Sequence, residues 1–127
     1  MRDCNFKGSV MMRASLISCD ISGSNMVECN LHSSVWSNCK ALHLRADSSV
    51  WSASVLMDCD ISSGSFNGSC WQGSGLHSCT AATVSMMGAN LVGMTAQCTS
   101  FANAFLCRCV VDRAVFISCA LDACSLW

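Results

Sequence analysis

The sequence predicts an all-β solenoid wound from five-residue units, a single domain over residues 1–127. Three observations predict it. Stepping by five from Phe6 through Met11, Leu16 and Ile21 to Leu126 meets an apolar residue at every step, in a chain where 52% of residues are apolar. The residue two places before each of them is Cys, Ser, Ala, Gly or Thr in all units but three, the exceptions being Leu44, Val84 and Met94. A period of five also fits neither an amphipathic helix, which needs about 3.6, nor a half-buried strand, which needs 2.

Each unit therefore reads small–x–large–x–x, and the large residue is its centre. The centre and the small residue, two apart, point to the same side of a short extended segment. The two residues after the centre must turn the chain. Gly8, Gly23, Gly68, Gly73, Gly88 and Gly93 all stand on the last position of a unit, where a corner needs permissive dihedrals. Seven of the nine aromatic residues and eight of the ten leucines are centres, as a filled interior requires.

The units CNFKG (4–8), CDISG (19–23), CNLHS (29–33), CDISS (59–63) and ANLVG (89–93) resemble the pentapeptide-repeat family, whose pattern is A-(D/N)-L-x-x. The resemblance runs without interruption from residue 4 to residue 127. It implies a right-handed quadrilateral parallel β-helix, about six coils of four pentapeptides. The chain departs from the pattern where Cys or Ser replaces Ala, where Trp replaces Leu or Phe, and where Ser, Val or Thr replaces Asp or Asn.

With four units per coil, every fourth centre stacks in one column. Phe6, Trp36, Trp51, Phe66, Trp71, Phe101 and Phe116 become the aromatic core. Large and small centres mix within each coil, as an interior of fixed width demands. Six coils at the ~4.8 Å spacing of stacked strands make a rod about 30 Å long. Nine of the twelve cysteines fall on the small position, and Cys19, Cys39, Cys59, Cys79 and Cys119 form one column broken by Thr99. They read as small buried hydrophobes. Neighbouring alpha carbons would lie within disulfide range, but their parallel side-chain vectors suit a bridge poorly. The spacing also lacks the C-x₂₋₄-C of a zinc site. Cys70, Cys98 and Cys107 stand at outward positions and are the candidates for thiol reactivity.

Other chemistry has little support. His32, His43 and His77 lie on separate stretches with no triad or dyad partner. GSGL at 73–76 lacks the lysine and helix of a phosphate loop. No catalytic residue, metal or cofactor is expected. Seven basic and eight acidic residues give a net charge of −1, too weak a field to steer nucleic acid or an anionic membrane. No apolar run is long enough to span a bilayer, and the first residues lack the apolar core of a signal peptide. The expected setting is the cytoplasm with reduced thiols, with delivery by a dedicated secretion system as the alternative route.

Residues 61–107 carry no charge, whereas 11 of the 15 charged residues lie in 1–60. That neutral stretch is the expected contact surface, with Gln72, His77, Met87, Asn90, Val92 and Phe105 as its candidates. The function expected is a non-enzymatic scaffold for a protein partner, since stacked repeats make long stiff surfaces. The resemblance adds that similar modules occur in bacterial secreted effectors and secretion-associated proteins. The alternative it implies is a DNA mimic that protects a topoisomerase. That reading needs a strongly acidic surface to match about one charge per 1.7 Å of duplex. Uncapped coils expose apolar centres and unpaired backbone, so a homodimer through the C-terminal coil is also expected, with Leu126 and Trp127 in contact.

Overall fold

The computed structural model describes residues 1–125. Six three-residue strands, β1 (Ser15–Ile17), β2 (Val35–Ser37), β3 (Val55–Met57), β4 (Gly75–His77), β5 (Thr95–Gln97) and β6 (Val115–Ile117), form one parallel sheet in chain order. The register never shifts from coil to coil, with Leu16 beside Trp36, then Leu56, Leu76, Ala96 and Phe116. The other three sides carry single parallel bridges at the same spacing, such as Asn5 with Asn25 and Asp20 with Lys40. The sequence's solenoid of four five-residue units per turn is the fold, and five turns separate β1 from β6.

The backbone is satisfied between coils. The amide of Phe6 donates to the Asn25 carbonyl at 2.8 Å, and the Asn25 amide donates back to the Cys4 carbonyl at 2.8 Å. Between consecutive units, the amide three residues after a centre usually donates to that centre's carbonyl, as Ser9 does to Phe6 at 2.9 Å. That bond closes a β-turn whose third residue needs positive φ. The last residue of every described unit has it, from Asp3 at 54° to Ala123 at 54°, and most of these residues are not glycine. The six glycines on this position mark only some of the corners.

Asp or Asn before the centre has a local task. The side chains of Asn5, Asp20, Asn25, Asn30, Asp60 and Asn90 each accept the amide two residues on. These Asx turns hold the chain as it enters the corner.

Trp36, Trp51, Phe66, Trp71 and Phe101 are fully buried. Phe6 and Phe116 are only half-buried, and the centres Val111 and Leu121 are exposed, because the first and last coils are covered from one side. The three large residues on the small position, Leu44, Val84 and Met94, are fully buried too. Each adjoins an alanine centre: Leu44 lies between Ala41 and Ala46, Val84 follows Ala81, and Met94 precedes Ala96. In the units of Leu44 and Met94 large and small have exchanged places, which conserves the volume of the coil, whereas Val84 shares its unit with the large centre Met86.

A candidate interaction face on the strand-bearing side

One side differs from the other three. Only there, among the described residues, do ladder bonds run over three consecutive residues, so only there is the wall a continuous sheet. The corner that follows it is open. Cys19, Cys39, Cys59, Cys79, Thr99 and Cys119 do not donate their amides to the preceding centre, although the equivalent residues of the other sides do.

The side chains of this corner column take up the role. Cys39 Sγ donates to the carbonyls of Leu16 at 3.3 Å and Ser37 at 3.4 Å. Cys79 does so to Leu56 and His77, both at 3.4 Å, and Cys119 to Ala96 at 3.3 Å and Ile117 at 3.4 Å. Thr99, the gap in the cysteine column, makes the same pair with its hydroxyl, to Leu76 at 3.3 Å and Gln97 at 3.2 Å. Cys39, Cys59 and Cys79 are buried, while Cys19 and Cys119 in the outer coils are half-buried. These thiols are therefore corner-bonding groups as well as small hydrophobes. Burial pushes the Cys39 thiol up, and the neighbouring Cys79 sulfur together with burial pushes Cys59 up. All twelve cysteines are free thiols.

The sheet presents six pairs of outward residues, from Ser15 and Ile17 to Val115 and Ile117. Asp58 is the one charged residue among these pairs and the corner that follows them. Ile17, Val35, Met57, Val115 and Ile117 are exposed apolar side chains on it. In the middle, the His77 ring leans back over Gly75, so that a Cβ on Gly75 would meet Nε2 at 3.0 Å.

The contact residues expected from chain order are not brought together. Gln72, Asn90 and Val92 share one side, Met87 and Phe105 another, and His77 lies on the sheet. Met87 and Phe105 are exposed, whereas His77, Asn90 and Val92 are half-buried. The neutral stretch 61–107 is a band around the rod, because every coil visits all four sides. Sorting outward residues by their place within the coil is the signal that would have found the sheet face.

The remaining candidates are dispersed. Cys98 is exposed, while Cys70 and Cys107 are half-buried beside Ser52 at 3.3 Å and Ser125 at 3.2 Å. The expected dimer residues Leu126 and Trp127 lie outside the described residues. Among the described residues no three His, Cys, Asp or Glu side chains converge as a metal site, and no helix is long and apolar enough to cross a membrane. The three described tryptophans pack in the core. Trp51 and Trp71 stack at 4.9 Å, and Trp36 meets Trp51 edge-on at 4.8 Å. Trp51 Nε1 donates to Ser49 at 2.6 Å and Trp71 Nε1 to Ser69 at 2.8 Å. The same Ser-x-Trp arrangement at Ser34 and Trp36 leaves both polar atoms without a partner among the described residues.

The family model described as "Pentapeptide repeats" matches residues 1–32, with 8 copies. No curated protein matches the chain. Among solved structures, HetL from the cyanobacterium Nostoc sp. Strain PCC 7120, described as a pentapeptide repeat protein involved in heterocyst differentiation regulation, is similar with a TM-score of 0.61 and 15% identity, covering 98% of this chain and 62% of HetL. A pentapeptide repeat protein from the Arabidopsis thaliana thylakoid lumen is similar with a TM-score of 0.58 and 17% identity, covering 74% of this chain and 64% of its own. A trypsin-treated variant of QnrB1, a plasmid-mediated fluoroquinolone resistance protein, is similar with a TM-score of 0.51 and 18% identity, covering 98% of this chain and 64% of its own. The chain thus spans less than two thirds of the length of these structures. The family model matches the start of the chain, and the same parallel solenoid of five-residue units continues from there through the described residues, the fold that these pentapeptide repeat structures share.

Proposed function

We propose that the protein is a non-enzymatic protein-binding scaffold and that the strand-bearing side is its docking face. The observation that carries this reading is the near absence of charge on the one wall that forms a continuous sheet among the described residues, combined with exposed Ile17, Val35, Met57, Val115 and Ile117. Interface cores are depleted in charge and built on apolar and aromatic contacts. A sheet held by ladder bonds loses little entropy on docking, which favours it as a rigid contact surface.

A duplex mimic fits less well. Its surface needs a run of acids, yet here Lys40 stands between Asp20 and Asp60 in one ladder. Hydrogen bonds from Ser22, and then Arg2 at 2.6 Å, hold the Asp20 carboxyl down at about 2, so that charge is already paired.

The test is a comparison of captured proteins. Wild-type chain and the Val35→Lys variant are immobilised and exposed to lysate of the native host. Val35 is 40% exposed, so the variant should fold normally by circular dichroism. A partner retained by wild type and lost at least tenfold with the variant is the expected result. Equal capture by both would move the docking face elsewhere.

A further inference from the structure

We propose that Cys59 and Cys79, stacked in successive coils at the open corner, hold one soft monovalent ion, Cu(I), as a linear dithiolate. The two residues are 2% and 3% exposed. Their side chains run parallel, one coil spacing of ~4.8 Å apart. A disulfide, with its sulfurs about 2 Å apart, suits that arrangement poorly. Two metal–sulfur bonds of about 2.3 Å laid end to end reach about 4.6 Å and fit it. Thiolates are the soft ligands that select Cu(I) over harder ions. A linear ion takes two ligands, so no third side chain has to converge.

This pair stands apart within its column. Cys39, Cys79 and Cys119 each donate to two carbonyls. Cys59 donates to one, that of Met57 at 3.2 Å, and its sulfur lies beside the Cys79 sulfur.

The backbone supplies a second, independent observation. The corner residues of this column do not donate their amides to the preceding centre. Those amides turn to the side chain one coil on, as the Cys79 amide does to Thr99 Oγ1 at 3.3 Å. In the same way the Cys59 amide faces the Cys79 sulfur, and the Cys39 amide faces the Cys59 sulfur. Both sulfurs are therefore met by an N–H, which favours negative charge on them. Hydrogen bonds to sulfur tune and steady buried metal thiolates. On binding, each thiol releases its proton to solvent and its sulfur gives a lone pair to the ion. Two protons leave for each Cu(I), no electron is transferred, and the bound unit carries one negative charge. The two amide dipoles offset the burial of that charge.

The test uses the full chain, reduced and free of oxygen, with Cu(I) supplied from a coloured Cu(I) chelator whose absorbance reports the ion it loses. A parent carrying Cys70→Ser, Cys98→Ser and Cys107→Ser is free of the outward thiols. It should withdraw one Cu(I) per chain and release two protons. Cys79→Thr, on the pattern of Thr99, and Cys59→Thr should each weaken binding at least about tenfold, a loss that outer-shell changes alone can reach. Cys29→Ser, a buried thiol on another side, should bind as the parent does. Equal withdrawal by the parent and Cys79→Thr overturns the site. Melting of the parent gives a reading that does not depend on the variants folding. Cu(I) should raise the melting temperature, because the two sulfurs meet only in the folded chain. An unchanged or lowered melting temperature places the ion on thiols of the unfolded chain and overturns the proposal. None of these outcomes bears on the capture of a protein by the sheet wall.

Discussion

At the scale of single residues, Cys79 shows why this chain places cysteine at the corner after five of its six strands. Its thiol donates to two carbonyls, at Leu56 and His77, where no backbone turn bond forms. Thr99 one coil later does the same with a hydroxyl. Hydrogen bonding, and not size alone, therefore decides what the position accepts. Cys79→Thr should cost less than about 1 kcal/mol, whereas Cys79→Val, of similar volume but without a donor, should cost about 1 kcal/mol or more. Chemical denaturation of the two variants checks this. Equal losses would show that the thiol is only filling space.

At the scale of the element, the unit is a short extended segment and a corner, and the corner sets the strain. The last residue of each described unit has φ near the left-handed region whatever its side chain. Ladder bonds above and below hold it there. Such a conformation costs an ordinary L-residue about 1–2 kcal/mol and is most unfavourable for a β-branched one. Thr83, at φ 56°, is that case. Its hydroxyl contacts Ser63 at 2.9 Å on the exposed surface, a bond of small worth. Thr83→Gly should therefore raise stability by about 0.5–1 kcal/mol after the entropic cost of glycine. A lower melting temperature would mean that the Ser63 contact outweighs the strain.

At the scale of the whole molecule, the interior has fixed width and every coil must fill it. Trp and Phe centres share coils with alanine centres, and Leu44, Val84 and Met94 supply the volume those alanines lack. Leu44→Ala should cost about 2–5 kcal/mol through the cavity it leaves. Ala46→Leu alone should cost about 1–3 kcal/mol through overpacking. The double variant restores the small–x–large order, so its loss should fall well short of the sum. A double-mutant cycle by denaturant unfolding reads the difference, and strict additivity would show that the two sites do not share volume.

The period of five needed no structure to be read. It placed the centres from Phe6 onward on the inside, sorted the cysteines and implied stacking of every fourth unit, because burial of one centre per unit is a local demand repeated along the chain. The half-buried state of Phe6 and Phe116 followed from position along the rod, which periodicity alone does not weigh. The donor role of the corner cysteines stayed hidden because their acceptors include carbonyls of the coil before, far away in sequence. The grouping of Gln72, Met87 and Phe105 failed for a related reason: neighbours in sequence lie on different walls. What the sequence by itself determined is which residues face inward, since the hydrophobic effect acts on each unit alike. What only the tertiary structure decided is which wall is a sheet and which outward residues share it. Those are set by hydrogen bonds between one coil and the next, and no single unit contains them.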